Sequence, residues 1–338
     1  MPIHLIPWPD DANDAKALWS RITRNPTTLN VIGLLIAIIV LYLILSFTAF
    51  GFSTYANQFG LLRNGALIGI AATGMTLVIV AREIDVSIGP AAAFSSVLVA
   101  KAISQWEFPA IAAILFTLAM GAAWGGLAGV LRARFGVPTF IATLGLWNIL
   151  GGLALFTTDA LPVVLPAGEP VMTFLDGTVL SVPVSAWVMI IAFVVVGFVS
   201  RKTAYGRSVY AVGGNAAAAR LAGIPVMRTQ ILILATTGFL SALTGVLLAA
   251  RMGSGNGGAA SGLEFNVIAA VVVGGTAMTG GRGSLLGTFL GVIFITLISN
   301  GLVLLGVNPF LQRVVTGAII VLSVLLNSVL ASRSTLQK

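Results

Sequence analysis

The chain has 338 residues, 58% of them hydrophobic and only 8% charged, with a formal net charge of +8 and a mean hydropathy of +1.05. A soluble domain carries about 25% charged residues, so a water-facing surface cannot be built here and most of the exterior must face lipid. With no cysteine and a single histidine, His4, disulfides, thiolate catalysis and a Cys- or His-built metal site are excluded, and with them an intramembrane enzyme that needs a dyad or metal cluster.

Residues 1–28 read as a polar tail beginning MPIHLIPWPDDANDAKALWSRITRNP. It is too long, and too acidic at its start, for the n-region of a cleaved signal peptide, so the first apolar stretch is expected to be retained. That stretch, LNVIGLLIAIIVLYLILSFTAF from Leu29 to Phe50, carries no charge and meets the length of about 20 residues that a bilayer crossing needs. Hydropathy and Gly/Pro punctuation predict about ten helices, at 29–50, 61–81, 86–104, 109–131, 138–157, 183–200, 229–250, 265–279, 284–305 and 309–330. Pro109, Pro138, Pro183 and Pro309 stand at helix starts, where a missing N–H costs nothing. The eighth segment is short and glycine-rich, as a broken or re-entrant path would be, and such backbone is tolerated only against protein or water. A single membrane domain, 29–330, fills the chain between the N-terminal tail and a short C-terminal tail, 331–338. No polar segment reaches the roughly 50 residues a soluble domain needs.

Placing the N-terminus in the cytoplasm puts every Lys and Arg inside except Arg63, Lys101, Arg251 and Arg313. The external loops then hold Glu107, Asp159, Glu169, Asp176 and Glu264. The opposite orientation violates the positive-inside rule. The expected fold is an all-α polytopic bundle with both termini cytoplasmic. The positive charge is spread over several loops without interleaved aromatics, so it is topology and not a nucleic-acid footprint.

The segment 201–228, RKTAYGRSVYAVGGNAAAARLAGIPVMR, is a basic island between two spans. Asn215 is a good N-cap, Ala216 to Ala219 favour helix, Gly223 suits a left-handed C′ position, and Pro225 stops the helix. A helix of about two turns is unstable alone, so something must hold it. Gly213 and Gly214 permit a tight turn before it, and Arg220 supplies charge. It is either a loop helix lying on its own bundle or a helix docked on a cytosolic partner.

Glycines at 121, 125 and 129, and at 283, 287 and 291, form small-xxx-small ladders, which pack helices within a chain or across a dimer. Polar residues inside spans are pathway candidates: Asn64, Thr73, Thr76, Asn148 and Asn300. Each can equally serve an interhelical hydrogen bond. Asp85 and Ser87 cap the third span or act as a gate. The glycines from Gly274 to Gly283 lack the Lys-Ser/Thr of a phosphate loop, so this chain does not hydrolyse ATP by itself. Few ionisable groups lie in span centres, which speaks against a proton- or sodium-coupled carrier and for a neutral solute.

The runs KTAYGRSVYAVGGNAAAARLAGIPV, GLEFNVIAAVVVGGTAMTGGRGSLLGTFLGV and GMTLVIVAREIDVSIG, in that family's order, closely resemble the ribose/xylose-type permease subunits of bacterial ABC sugar importers. The resemblance covers roughly residues 30 to 330. It implies a dimeric permease of about ten spans in the bacterial inner membrane, working with a second permease copy or a sister permease. It further implies a cytosolic ATP-binding subunit, which carries the ATP and Mg, and a periplasmic sugar-binding protein. In that family a cytoplasmic helix between the sixth and seventh spans docks in the ATPase, and Gly213, Gly214, Asn215, Arg220 and Gly223 lie in the matching place. The chain departs from the pattern at Arg82 and Glu83, where the family has two glycines, and at Thr316, where a basic residue is common. The expected function is translocation of a monosaccharide or similar neutral solute. The alternative is a self-sufficient carrier or channel.

Overall fold

The computed structural model describes residues 26–335, with side chains over 29–325. His4 and nearly all of the expected N-terminal tail lie outside the described residues. The chain runs through helices α1 (Pro26–Thr48), α2 (Tyr55–Val80), α3 (Ile88–Ser104), α4 (Ala110–Phe135) and α5 (Thr139–Phe156). A connection follows that contains β1 (Val163–Val164), α6 (Pro170–Asp176), β2 (Thr178–Val179) and β3 (Val182–Pro183). Then come α7 (Val184–Lys202), α8 (Ala204–Gly214), α9 (Ala216–Leu221), α10 (Val226–Met252), β4 (Ser254–Gly255), α11 (Leu263–Val273), α12 (Leu285–Leu304) and α13 (Pro309–Thr335). The only sheets among the described residues are two-stranded, β1 with β4 and β2 with β3. The last helix continues to Thr335, past the expected end at 330.

Among the described residues, seven helices are long and apolar enough to cross a membrane: α1, α2, α4, α5, α7, α10 and α12. Three shorter apolar helices join them: α3, α11 and α13 over Pro309–Leu325. The starts and stops have local causes. Thr54 and Ser284 accept hydrogen bonds from Asn57 N and Gly287 N. Pro109, Pro138 and Pro183 stand at the cap positions of α4, α5 and α7. Left-handed Gly136 and Gly253 end α4 and α10.

The eighth segment is shorter than the expected 265–279. Its helix α11 stops at Val273, and 11 residues span only about 16 Å, half of a hydrocarbon core of about 30 Å. Gly275, Gly280 and Gly281, all at positive φ, then carry the chain through an irregular return to Ser284. That return is half-buried, with Thr279 and Arg282 exposed, and it is tied to the bundle where Gly281 N donates to Val80 O at 2.8 Å.

Helix α2 is the central column. Its most apolar window is 89% buried, against 6% for α1, which lies on the rim. The α4 ladder lies against α10. A Cβ added at Gly121 would sit 2.6 Å from Gly238 O, one at Gly129 would sit 2.6 Å from Ile231 Cα, and one at Gly125 would overlap the Leu234 carbonyl oxygen. Gly287 and Gly291 pack likewise on the backbone of Gly274 and Ala270. Both ladders are thus used inside the chain.

Candidate functional site

The connections sort into two ends by their contacts. At one end β1 pairs with β4, Arg63 pairs with Asp176 at 3.3 Å, and Lys101 Nζ donates to Thr157 O at 2.6 Å. At the other, the 81–87 loop, the α4–α5 turn, the 203–225 segment and the 274–284 return come together. Arg63, Lys101 and Arg251, which the charge rule leaves on the external side, all lie at the first end, and each is tied to a neighbour.

A cavity of about 330 Å³ lies at that first end between α2, α10, α11, α12 and α13. Its volume is within the range of roughly 300–1,000 Å³ usual for small-ligand sites. Amides and hydroxyls supply its polar lining, chiefly Asn64, Asn266, Thr296, Ser299, Asn300 and Gln312, and among the described residues no charged side chain lines it. Such groups both donate and accept hydrogen bonds, as a polyhydroxylated neutral solute requires. Arg251 Nη1 donates to Asn64 Oδ1 at 2.6 Å, so the Nδ2 hydrogens of Asn64 remain to be offered. Asn300 and Asn57 exchange amide bonds at 2.7 and 3.1 Å, tying α12 to α2.

Of the expected pathway residues, the cavity gathers Asn64 and Asn300. Thr73 is buried in α2 and bonds back to Ile70 O. Thr76 bonds Ala72 O and meets Thr288 Oγ1 at 2.8 Å, joining α2 to α12. Asn148 sits on an exposed face of α5 with its amide on Leu144 O. Asn266, Thr296, Ser299 and Gln312 carried no separate sequence signal. All four are polar residues in apolar helices, on faces that only the packing defines.

Glu264 corrects the sequence reading, which expects it in an external loop. It is 2% exposed, in the first turn of α11. Its Oε1 accepts from Trp147 Nε1 at 3.0 Å, and its Oε2 has no hydrogen-bond partner among the described residues. Gly89 makes room for it, since a Cβ there would collide with Oε2. Buried carboxylates are therefore less scarce than hydropathy suggests.

At the second end Asn215 caps α9, its Oδ1 accepting from Ala217 N and Ala218 N, both at 3.0 Å. Gly223 follows at φ +81°. Arg220 and Leu221 are exposed, so α9 offers an outer face with a cation beside an apolar side chain. Gly213 and Gly214 are not a tight turn, as expected from sequence, but the end of helix α8. Gly213 is pressed on the end of α2: a Cβ there would overlap Val80 O and lie 2.9 Å from Gly281 N. A Cβ at Gly214 meets nothing within 4 Å.

Ser87 occupies the cap position of α3 without a side-chain capping bond. Nor does Asp85 reach the helix: its Oδ1 accepts from Ser87 N at 2.8 Å and Ser87 Oγ at 2.6 Å, closing a turn just ahead of α3. Burial pushes the Asp85 carboxyl above its ordinary pKa, opposed by the two bonds from Ser87. Arg82 stands exposed at φ +65°, a conformation that suits the glycine of the family pattern.

Residues 57–324 match the family model described as branched-chain amino acid transport system / permease component. The chain is 59% identical to the "Probable ABC transporter permease protein YphD" of Escherichia coli (strain K12), over 92% of this chain and 93% of that protein. It is 38% identical to the ribose import permease protein RbsC of the same organism, over 87% and 92%. It is 35% identical to the L-arabinose ABC transporter permease protein AraH of Azospirillum brasilense, over 96% and 94%. No solved structure matches the chain.

Proposed function

The chain belongs to the branched-chain amino acid transport system / permease component family, and from that membership we propose how it transports. It is a multi-pass inner-membrane permease subunit of an ABC importer, and its substrate is a monosaccharide or a similar neutral polyol-like solute. One observation carries the substrate class: the polar groups lining the cavity of about 330 Å³ are amides and hydroxyls set among apolar side chains, and no charged group among the described residues lines it. Two of the named relatives are a ribose import permease and an L-arabinose ABC transporter permease, and both sugars are solutes of that chemistry.

The rest of the assembly follows from the family. About ten helices cross the membrane, with the basic end of the bundle and both termini in the cytoplasm. A periplasmic binding protein delivers solute to the end that holds the cavity. A separate subunit binds ATP and Mg and hydrolyses the ATP, and a second permease copy or a sister permease completes the pathway. The helix capped by Asn215 and closed by Gly223 presents Arg220 to the ATPase, with Gly213 and Gly214 linking it to the bundle. A neutral cavity at one end of the bundle and, at the other, a segment shaped for a cytosolic partner favour this reading over a self-sufficient carrier.

The test is reconstitution. The chain should co-purify with an ATP-binding subunit and take up sugar in proteoliposomes only when ATP and the binding protein are present. Uptake by the chain alone without ATP would overturn the reading. With the ATPase present, Arg220→Ala combined with Gly223→Ala should leave hydrolysis and abolish uptake, whereas wild-type uptake would sink the docking role of α9.

A further inference from the structure

Four segments of the chain meet at one carboxylate. Glu83, in the loop between α2 and α3, is 8% exposed. Its Oε1 accepts from Arg132 Nε at 2.8 Å and from Gln230 Nε2 at 2.9 Å, and its Oε2 accepts from Thr139 Oγ1 at 2.5 Å. Arg132 lies in the last turn of α4, Thr139 begins α5, and Gln230 is near the start of α10. Hydrogen bonds to an ionised group are about twice as strong as neutral ones. Glu83 is the buried member of the ion pair and the Arg132 side chain is 34% exposed, so loss of Arg132 would strand a buried carboxylate. Three residues before Glu83, Val80 O takes the hydrogen bond of Gly281 N directly against Gly213 of α8. The loop is therefore fixed at one end to the segment that reaches the cytosol and at the other to three helix ends.

We propose that Glu83 is a positioning residue, an ionic latch that carries displacement of α8 and α9 to the ends of α4, α5 and α10. It contacts neither solute nor nucleotide and works through the helices it holds. Without the latch, a shift of Gly213 against Val80 would be absorbed in the loop. With it, the three helix ends must follow. The inference rests on the permease reading above.

A structural clasp and a latch differ in one measurable ratio, solute taken up per ATP hydrolysed. A clasp lowers folded yield and melting temperature but leaves that ratio unchanged. In proteoliposomes holding the chain, its ATPase and its binding protein, Glu83→Gln keeps the side-chain shape but removes the charge that Arg132 needs. The ratio should fall on the order of 5- to 150-fold, the range of typical site–site coupling, with hydrolysis persisting when the binding protein is left out. Glu83→Gln with Arg132→Gln also removes the unpaired, partly solvated cation; it should fold like wild type and still show a reduced ratio. A wild-type ratio in either variant overturns the latch. So does failure of both to reach the membrane, because the carboxylate is then a clasp. If the wild-type assembly itself shows no ATP-driven uptake, the permease reading fails instead.

Discussion

Gly213→Ala and Gly214→Ala are the same change at neighbouring positions of α8, with opposite expected results. At Gly213 the new Cβ would overlap Val80 O and lie 2.9 Å from Gly281 N, the two atoms joined by a 2.8 Å hydrogen bond. Both obstacles are backbone, so no side chain can swing aside. Parting the pair strands a buried donor and acceptor, costing about 1–3 kcal/mol, and forcing the surroundings apart costs about 1–3 kcal/mol more. The better helix propensity of alanine returns at most about 1 kcal/mol. The net loss is on the order of 1–6 kcal/mol. At Gly214 the Cβ meets open space, so nothing opposes the propensity gain and the change should stabilise by at most about 1 kcal/mol. Thermal unfolding of the detergent-purified chain, followed by size-exclusion recovery, compares the two directly. Equal midpoints for the variants, or a wild-type midpoint for Gly213→Ala, would refute the junction.

Arg82→Gly should raise the unfolding midpoint slightly. Relief of a left-handed arginine is worth about 1–2 kcal/mol, less about 0.5–1 kcal/mol for glycine's extra freedom in the unfolded chain; a clear fall would show that the exposed arginine is held by something else. Asn300→Leu breaks both amide bonds to Asn57, at about 0.6 kcal/mol each on average. It should raise the apparent KM for sugar at saturating ATP, and an unchanged KM would remove Asn300 from the solute path.

Features that depend on a residue and its near neighbours were legible in the sequence. The uncharged Leu29–Phe50 stretch, the Asn215 cap, the Gly223 stop and the prolines at helix starts all act within a turn or two. The glycine ladders were legible as packing surfaces too, because their spacing matches a helix face. Features that need a distant partner were hidden. Gly213 reads as a turn residue until Val80 and Gly281 are placed against it. Glu264 reads as a loop acid because glycines precede it. Only Trp147 and the missing side chain of Gly89 reveal its burial. Glu83 shows no partner within its own segment; its three donors lie 49 to 147 residues further along.

The α4–α10 seam has a further consequence. Where carbonyls and Cα atoms touch with no side chain between them, neither helix can roll or slide past the other without collision. The pair behaves as a single plank, and whatever shape change accompanies transport must be hinged along its borders. The same tightness governs inheritance. At Gly125 even a methyl group has no room, so neutral drift is closed there, and divergence between relatives should accumulate instead on outward faces such as those of α5 and α7.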